Sequence, residues 1–291
     1  MNQTKARFLL SAVFIARGTS FLFSKTLMQN LFPTSVLAVR FLMAFTILAC
    51  IFHKKLIRCS RASLRGGILL GVLYTVCMFF EMFGLRLIES GVSALIENMA
   101  IVLVPVLAAV LSRSLPRPKT MICALVAVIG VGFLSLTQRG GAHSGLGIFL
   151  ILMAAVTYAI CIMTTEKVSR GADPLTVGAV QLGTMGVLSL VVTLALGEFS
   201  LPQSGTQWGM MLMLVLVCSC FGFAFQPLGQ KYLRAEEAAV LTVLNPFTAS
   251  IMGILIAGES VGVAKVTGYI LILAALVFYN LPEKGKERTR R

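Results

Sequence analysis

Ten apolar stretches, each about the length of a membrane-crossing helix, fill this chain from Phe8 to Leu281. Roughly 20 helical residues span a hydrocarbon layer about 30 Å thick. No water reaches the backbone there, so each stretch must satisfy its own N–H and C=O groups, and helix is the form that does so. The stretches run approximately over 8–28, 33–52, 66–86, 93–112, 119–136, 145–163, 174–196, 208–229, 236–257 and 263–281. They are also written twice. Pro33 recurs as Pro174 and Pro105 as Pro246, both 141 residues later. Five stretches per copy is an odd number, so the second copy must enter the bilayer from the opposite side. The expected fold is all-α integral membrane, with ten transmembrane helices as two inverted five-helix repeats (1–138 and 139–282) and a basic tail (283–291). Secondary carriers share this architecture, with the ligand site near the midplane between the halves.

Composition supports the same class. The chain is 57% hydrophobic and 12% charged, against roughly 25% charged in a soluble domain. The helices leave only short loops, and no room for a separate catalytic domain. A net charge of +14 would suit nucleic acid if it were spread over one face, but it is not. With the N-terminus in the cytoplasm, the inside segments hold Lys5, Arg7, Lys54, Lys55, Arg58, Arg61, Arg65, Arg113, Arg117, Lys119, Lys167, Arg170, Lys231 and Arg234, with five more in the tail; only Arg86 and Arg139 fall outside. Lys and Arg concentrate in cytoplasmic loops, so both termini are expected inside, with the lipid bilayer rather than nucleic acid as the partner. Lys5 and Arg7 before the apolar run Phe8–Ala16 resemble a signal peptide, yet the repeat pairs this segment with the sixth stretch, so it is expected to be kept as the first span. The seven cysteines are scattered and the two histidines lie at loop edges. No metal site or cofactor is expected.

Charges inside apolar stretches carry the most information, because one at the bilayer centre costs about 2.5–3.5 kcal/mol on insertion scales. Six occur: Arg17, Lys25, Arg40, Glu81, Glu97 and Lys265. Lys25 and Lys265 lie near span ends, where they can snorkel to the interface. Arg17 is mid-span and is followed by Gly18, Ser20 and Ser24. Tyr74, Cys77 and Glu81 share one face of the third span; Ser93 and Glu97, with Asn98 beside them, mark the fourth. The second half answers with neutral polar groups: Tyr158, Cys161 and Thr165, then Gln181, Gln226, Thr242 and Asn245. At the 141 offset Tyr158 matches Arg17 and Gln181 matches Arg40, while local sequence pairs Gln226 with Glu81. Two readings stand. One is a structural ion pair of Arg17 with Glu81 or Glu97. The other is a hydrated cavity in which Arg17, Tyr74, Glu81, Glu97, Asn98, Tyr158, Gln226 and Asn245 bind a small-molecule substrate, Glu81 and Glu97 being candidates for proton coupling.

In order and spacing these residues resemble the EamA family of the drug/metabolite transporter superfamily. Gln230-Lys231-Tyr232, Ala238, Leu244-Asn245-Pro246, Ala257-Gly258-Glu259-Ser260 and Gly268 carry the resemblance in the second repeat; Gly18, Pro33, Arg40-Phe41, Gly84-Leu85-Arg86 and Pro105 carry it in the first. It covers nearly the whole chain. Two departures stand out: Arg17 replaces the tryptophan usual before the span 1 glycine, and Ser112-Arg113-Ser114-Leu115-Pro116 stands where a Gly-Glu would close span 4. The resemblance implies a secondary transporter of the cell (inner) membrane with cytoplasmic termini. It would move a small polar, amino-acid-like metabolite, in the efflux direction, by alternating access. Export of hydrophobic cations or drugs is the alternative within carriers, and a non-transporting sensor or scaffold lies outside them. An enzyme is not expected, because no Ser/His or Cys/His pair lies within the spans. Sequence leaves the oligomeric state open, a homodimer included.

Overall fold

The structure is a computed structural model and describes residues 1–113, 118–137, 142–256, 258 and 262–280. Helix α1 is built from Gln3–Gly18 and Ser20–Leu27, α2 is Pro33–Ile51, α3 Arg61–Leu87, and α4 comprises Ser90–Glu97 and Ala100–Leu111. Then follow α5 (Pro118–Thr137), α6 (Ala142–Gly171), α7 (Pro174–Ala195) and α8 (Gly205–Gln230). Last come α9, made of Ala235–Leu241 and Leu244–Leu255, and α10 (Val263–Asn280). Among the described residues, eight helices are long and apolar enough to cross a membrane; α5 and α10 contribute the shorter apolar runs Met121–Gly130 and Val266–Ala275. Residues 283–291, Ser114-Leu115-Pro116, Arg139 and Glu259-Ser260, to which the sequence reading gave roles, lie outside the described residues, as does the side chain of Lys265.

The starts of the helices follow from local chemistry. Pro33 and Pro174 open α2 and α7, where a missing N–H costs nothing. The side chains of Ser60, Asp173 and Ser204 accept from the backbone N–H of Ser63, Thr176 and Gln207, capping α3, α7 and α8. Prolines inside apolar runs break them instead. Ahead of Pro105, α4 changes to three-residue turns, with Ile101 N–H donating to Asn98 O and Val102 N–H to Met99 O, both at 3.0 Å. Ahead of Pro246, α9 does the same: Thr242 N–H donates to Ala239 O (3.1 Å) and Asn245 N–H to Thr242 O (2.9 Å). A proline ring excludes the carbonyl one turn earlier, and the tighter turn relieves that clash. Both breaks are buried in protein, which a lipid-exposed backbone could not tolerate.

Packing follows the doubling of the sequence. Helix α1 packs on α8 and α9, and its counterpart α6 packs on α3 and α4; α2 packs on α7, α4 on α9 and α5 on α10. Helices α2 and α7 run antiparallel and are tied at both ends. At one end Thr34 Oγ1 donates to Glu198 Oε2 (2.9 Å), Ser35 Oγ to Glu198 O (2.5 Å), and Ser200 N–H to Ser35 Oγ (3.0 Å). At the other, Asp173 N–H donates to Ser63 Oγ (3.2 Å), and Lys55 Nζ lies 3.7 Å from Asp173 Oδ1.

Asp173 gives this second tie a pH dependence. Partial burial would raise its carboxyl, but Thr176, donating from both hydroxyl and amide, and the Lys55 charge outweigh that and hold it below the ordinary aspartate value. A depressed folded-state pKa adds stability at pH above the unfolded value, about 3.9, and loses it as pH falls through the folded one. Thermal unfolding of the purified protein on the acid side should therefore fall more steeply with decreasing pH for the wild type than for Asp173→Asn; equal slopes would remove Asp173 from the balance.

Candidate functional site

Arg17 lies mid-helix in α1 and is buried. Its Nη1 donates to Tyr158 Oη at 3.0 Å and to Gln226 Oε1 at 2.7 Å. Gln226 Nε2 in turn donates to Tyr74 Oη at 2.9 Å. Four of the residues singled out from the sequence thus form one hydrogen-bonded chain across α1, α3, α6 and α8. Tyr158 is the residue that matches Arg17 at the 141 offset, so two repeat-related positions touch each other. The guanidinium also lies over two rings, 4.2 Å from the Phe223 centroid and 5.0 Å from that of Tyr158, within the range of cation–π attraction.

The expected ion pair is not formed. Among the described residues, no carboxylate lies within 4.0 Å of Arg17 or Arg40. Glu81 and Glu97 act on Arg17 only through space. The two carboxyl groups influence each other across α3 and α4, and Glu97 Oε1 is buried without a hydrogen-bond partner. The reason no ion pair forms is geometric: neutral oxygens of Tyr158 and Gln226 already fill the nearest positions around the guanidinium. Lys25 is half-buried, and its Nζ donates to Ile88 O (2.7 Å), at the C-terminal end of α3.

The remaining expected residues take less central roles. Asn98 sits at the break in α4; its amide donates back to Ala94 O (3.0 Å), and its buried Oδ1 is unpartnered. Asn245 follows the break in α9, and its Oδ1 is likewise buried without a partner. Both amides are thus in place beside broken helices, but neither joins the Arg17 chain.

Sequence reasoning missed the organiser, a π-helix over Leu214–Phe223 within α8. One extra residue per turn is uncommon and often marks a functional stretch. Here it aligns several groups on the arginines. Cys218 Sγ donates to Ala16 O (3.2 Å), Ser219 Oγ accepts from Arg40 Nε (2.7 Å), and Gly222 makes room for Arg17 Cγ, which a Cβ there would approach to 2.8 Å. Phe223 lies beneath both guanidiniums, Arg40 at 5.8 Å, and takes Phe41 and Tyr74 edge-on at 5.7 and 5.4 Å. Arg40, one of the six charges inside the apolar stretches, belongs to this centre. It is 1% exposed, and its Nη2 has no hydrogen-bond partner. No sequence period announces a π-turn; Arg40, itself a charge inside a span, was the available signal.

Such a bundle, with its ionisable groups enclosed where the two halves meet, defines a multi-pass membrane protein with a polar centre. The sequence profile of the EamA-like transporter family matches residues 4–136 and again 145–281, and the chain belongs to that family. An uncharacterized transporter of Archaeoglobus fulgidus is 24% identical over 189 residues, a match spanning 65% of this chain and 66% of that protein. A solved crystal structure shares the fold at a TM-score of 0.70 and 16% identity, covering 95% of this chain and 97% of the other.

Proposed function

We propose that the chain is a ten-span secondary carrier of two inverted repeats, with both termini in the cytoplasm of a cell whose inner membrane it occupies. It moves a small polar metabolite bearing a carboxylate, of amino-acid-like size, by alternating access, and the expected direction is efflux. The observation that carries this reading is the enclosed charge at the centre. Two buried guanidiniums, Arg17 and Arg40, have no carboxylate within 4.0 Å among the described residues. With the unpartnered Arg40 Nη2 they suit a ligand carboxylate, and the buried Glu81 and Glu97 are the candidates for proton coupling. Lipophilic cations fit less well, because Phe223 and Tyr158 already carry the protein's own guanidiniums and a second cation would meet like charge.

A thermal-shift screen of the purified protein against amino acids and small carboxylates identifies the ligand, since binding raises apparent stability by mass action. Flux in proteoliposomes then tests the carboxyl pair. Glu81→Gln and Glu97→Gln should each flatten the pH dependence of the wild-type rate. Both variants keeping the wild-type rate and pH profile would make the pair structural.

A further inference from the structure

At the end of the bundle that the charge distribution assigns to the cytoplasm, an apolar groove of about 530 Å³ lies between α2, α3 and α7. This volume falls within the ~300–1,000 Å³ of ligand pockets. Phe45 forms its α2 wall, Leu64 and Ile68 its α3 wall, Gly183 and Val187 its α7 wall, and Leu56 closes the end toward the loop. Thr184 also lines it, but its hydroxyl donates to Val180 O (3.0 Å) within α7 and leaves the methyl for the groove. Leu64, Ile68 and Val187 are each about half exposed, so the groove opens sideways, toward the bilayer.

The turn at its closed end and the start of α3 are strongly basic. Leu56 is followed by Arg58, Cys59 by Arg61, and Leu64 by Arg65; all three arginines are exposed. Among the described residues no carboxylate lies within 4.0 Å of any of them, whereas their neighbour Lys55 is engaged by Asp173. A single ligand that satisfies both features must have a long apolar part and an anionic head. Basic pockets between membrane helices on this side hold anionic headgroups.

We propose that this groove is a resident site for one anionic phospholipid of the cytoplasmic leaflet, an acyl chain lying between α2, α3 and α7 and the phosphate against Arg58, Arg61 and Arg65. The lipid fills the side of the α2–α7 pair next to the Lys55–Asp173 tie, so it binds the two antiparallel helices together at that end. This site is separate from the Arg17 centre and stands whether or not the substrate reading does.

Native mass spectrometry of the full chain in detergent tests it, with phosphatidylglycerol and phosphatidylcholine of equal chain length offered at the same concentration. One phosphatidylglycerol should be retained in preference to phosphatidylcholine by at least roughly tenfold, since each basic residue near a headgroup adds to the attraction. Val187→Trp and Leu64→Trp, which fill the groove from opposite walls at half-exposed positions, should each remove the retained lipid. The triple change Arg58→Gln, Arg61→Gln and Arg65→Gln alters only exposed side chains and should erase the headgroup preference. Equal retention of the two lipids by the wild type would overturn the proposal. So would a retained phosphatidylglycerol in both tryptophan variants, the mark of annular lipid only. Stabilisation by inorganic phosphate equal to that by phosphatidylglycerol would equally overturn it, by making the arginines a simple anion site.

Discussion

Arg17→Lys is expected to stop substrate flux while the protein still inserts and folds. The change keeps the charge and loses the geometry. A lysine has no planar face to lie on Phe223 and Tyr158, and its shorter side chain does not bring a donor to the place where Arg17 Nη1 meets both Tyr158 Oη and Gln226 Oε1. Truncating one member of a buried, hydrogen-bonded charged contact costs about 2–5 kcal/mol, or roughly 30-fold and upward in affinity. Arg17→Met separates stability from transport. It removes a cation from a dry site but leaves the Gln226 and Tyr158 oxygens without their donor, at roughly 1–3 kcal/mol each. Its apparent Tm should fall by several degrees with folded protein still recovered, while the ligand-induced shift in Tm disappears. Proteoliposome flux within about threefold of wild type for Arg17→Lys would reduce Arg17 to a packing element, because that is less than 1 kcal/mol.

The second large effect concerns the scaffold. Gly178 on α7 meets the backbone of Ala224 on α8: a Cβ there would stand 2.5 Å from the Ala224 carbonyl oxygen and 2.8 Å from its Cα. Small residues let membrane helices approach this closely, and backbone has no rotamer with which to yield. Overpacking costs about 1–3 kcal/mol in ordinary cores, so Gly178→Ala should lower Tm by roughly 5–10 °C. Gly178→Val should prevent recovery of folded protein. Gly145→Ala is the control, because nothing lies within 4 Å of a Cβ there, and its Tm should match wild type. A wild-type Tm for Gly178→Ala would mean that the α7–α8 seam gives way more easily than its contacts indicate.

Much of the spanning pattern could be read from the chain because hydrocarbon permits so few backbone forms. Apolar length located the helices; Pro105 and Pro246 were legible as marks of the repeat, and the breaks ahead of them come from the structure. The 141-residue offset matched Tyr158 to Arg17 as repeat counterparts, and the structure adds that the two are hydrogen-bonded. The contacts of Gln226 were less legible: local sequence matched it to Glu81 as a repeat counterpart and said nothing of the bonds its side chain makes to Arg17 and Tyr74. Of the two readings left open for Arg17, the ion pair with a glutamate is not formed, because charge alone says nothing about which neutral acceptors arrive first. Phe223 and Ser219 were invisible for a different reason. Their facing depends on the wide turns of Leu214–Phe223, which come from tertiary contacts with α1 and α2 and carry no period of their own.

The bond between Arg17 and Tyr158 limits how the two halves can be combined. Positions that meet their own counterparts lie on the line about which the halves exchange, and any residue placed there is brought against itself in a symmetric assembly. Two copies of the first half would bring two guanidiniums within contact distance, each lacking the acceptor the other half provides; two copies of the second would bring together a pair of phenols with no cation between them. Only the unlike combination closes. A chain cut between the halves should therefore reassemble from one piece of each kind and never from two of the same, which makes this one contact a lock on composition.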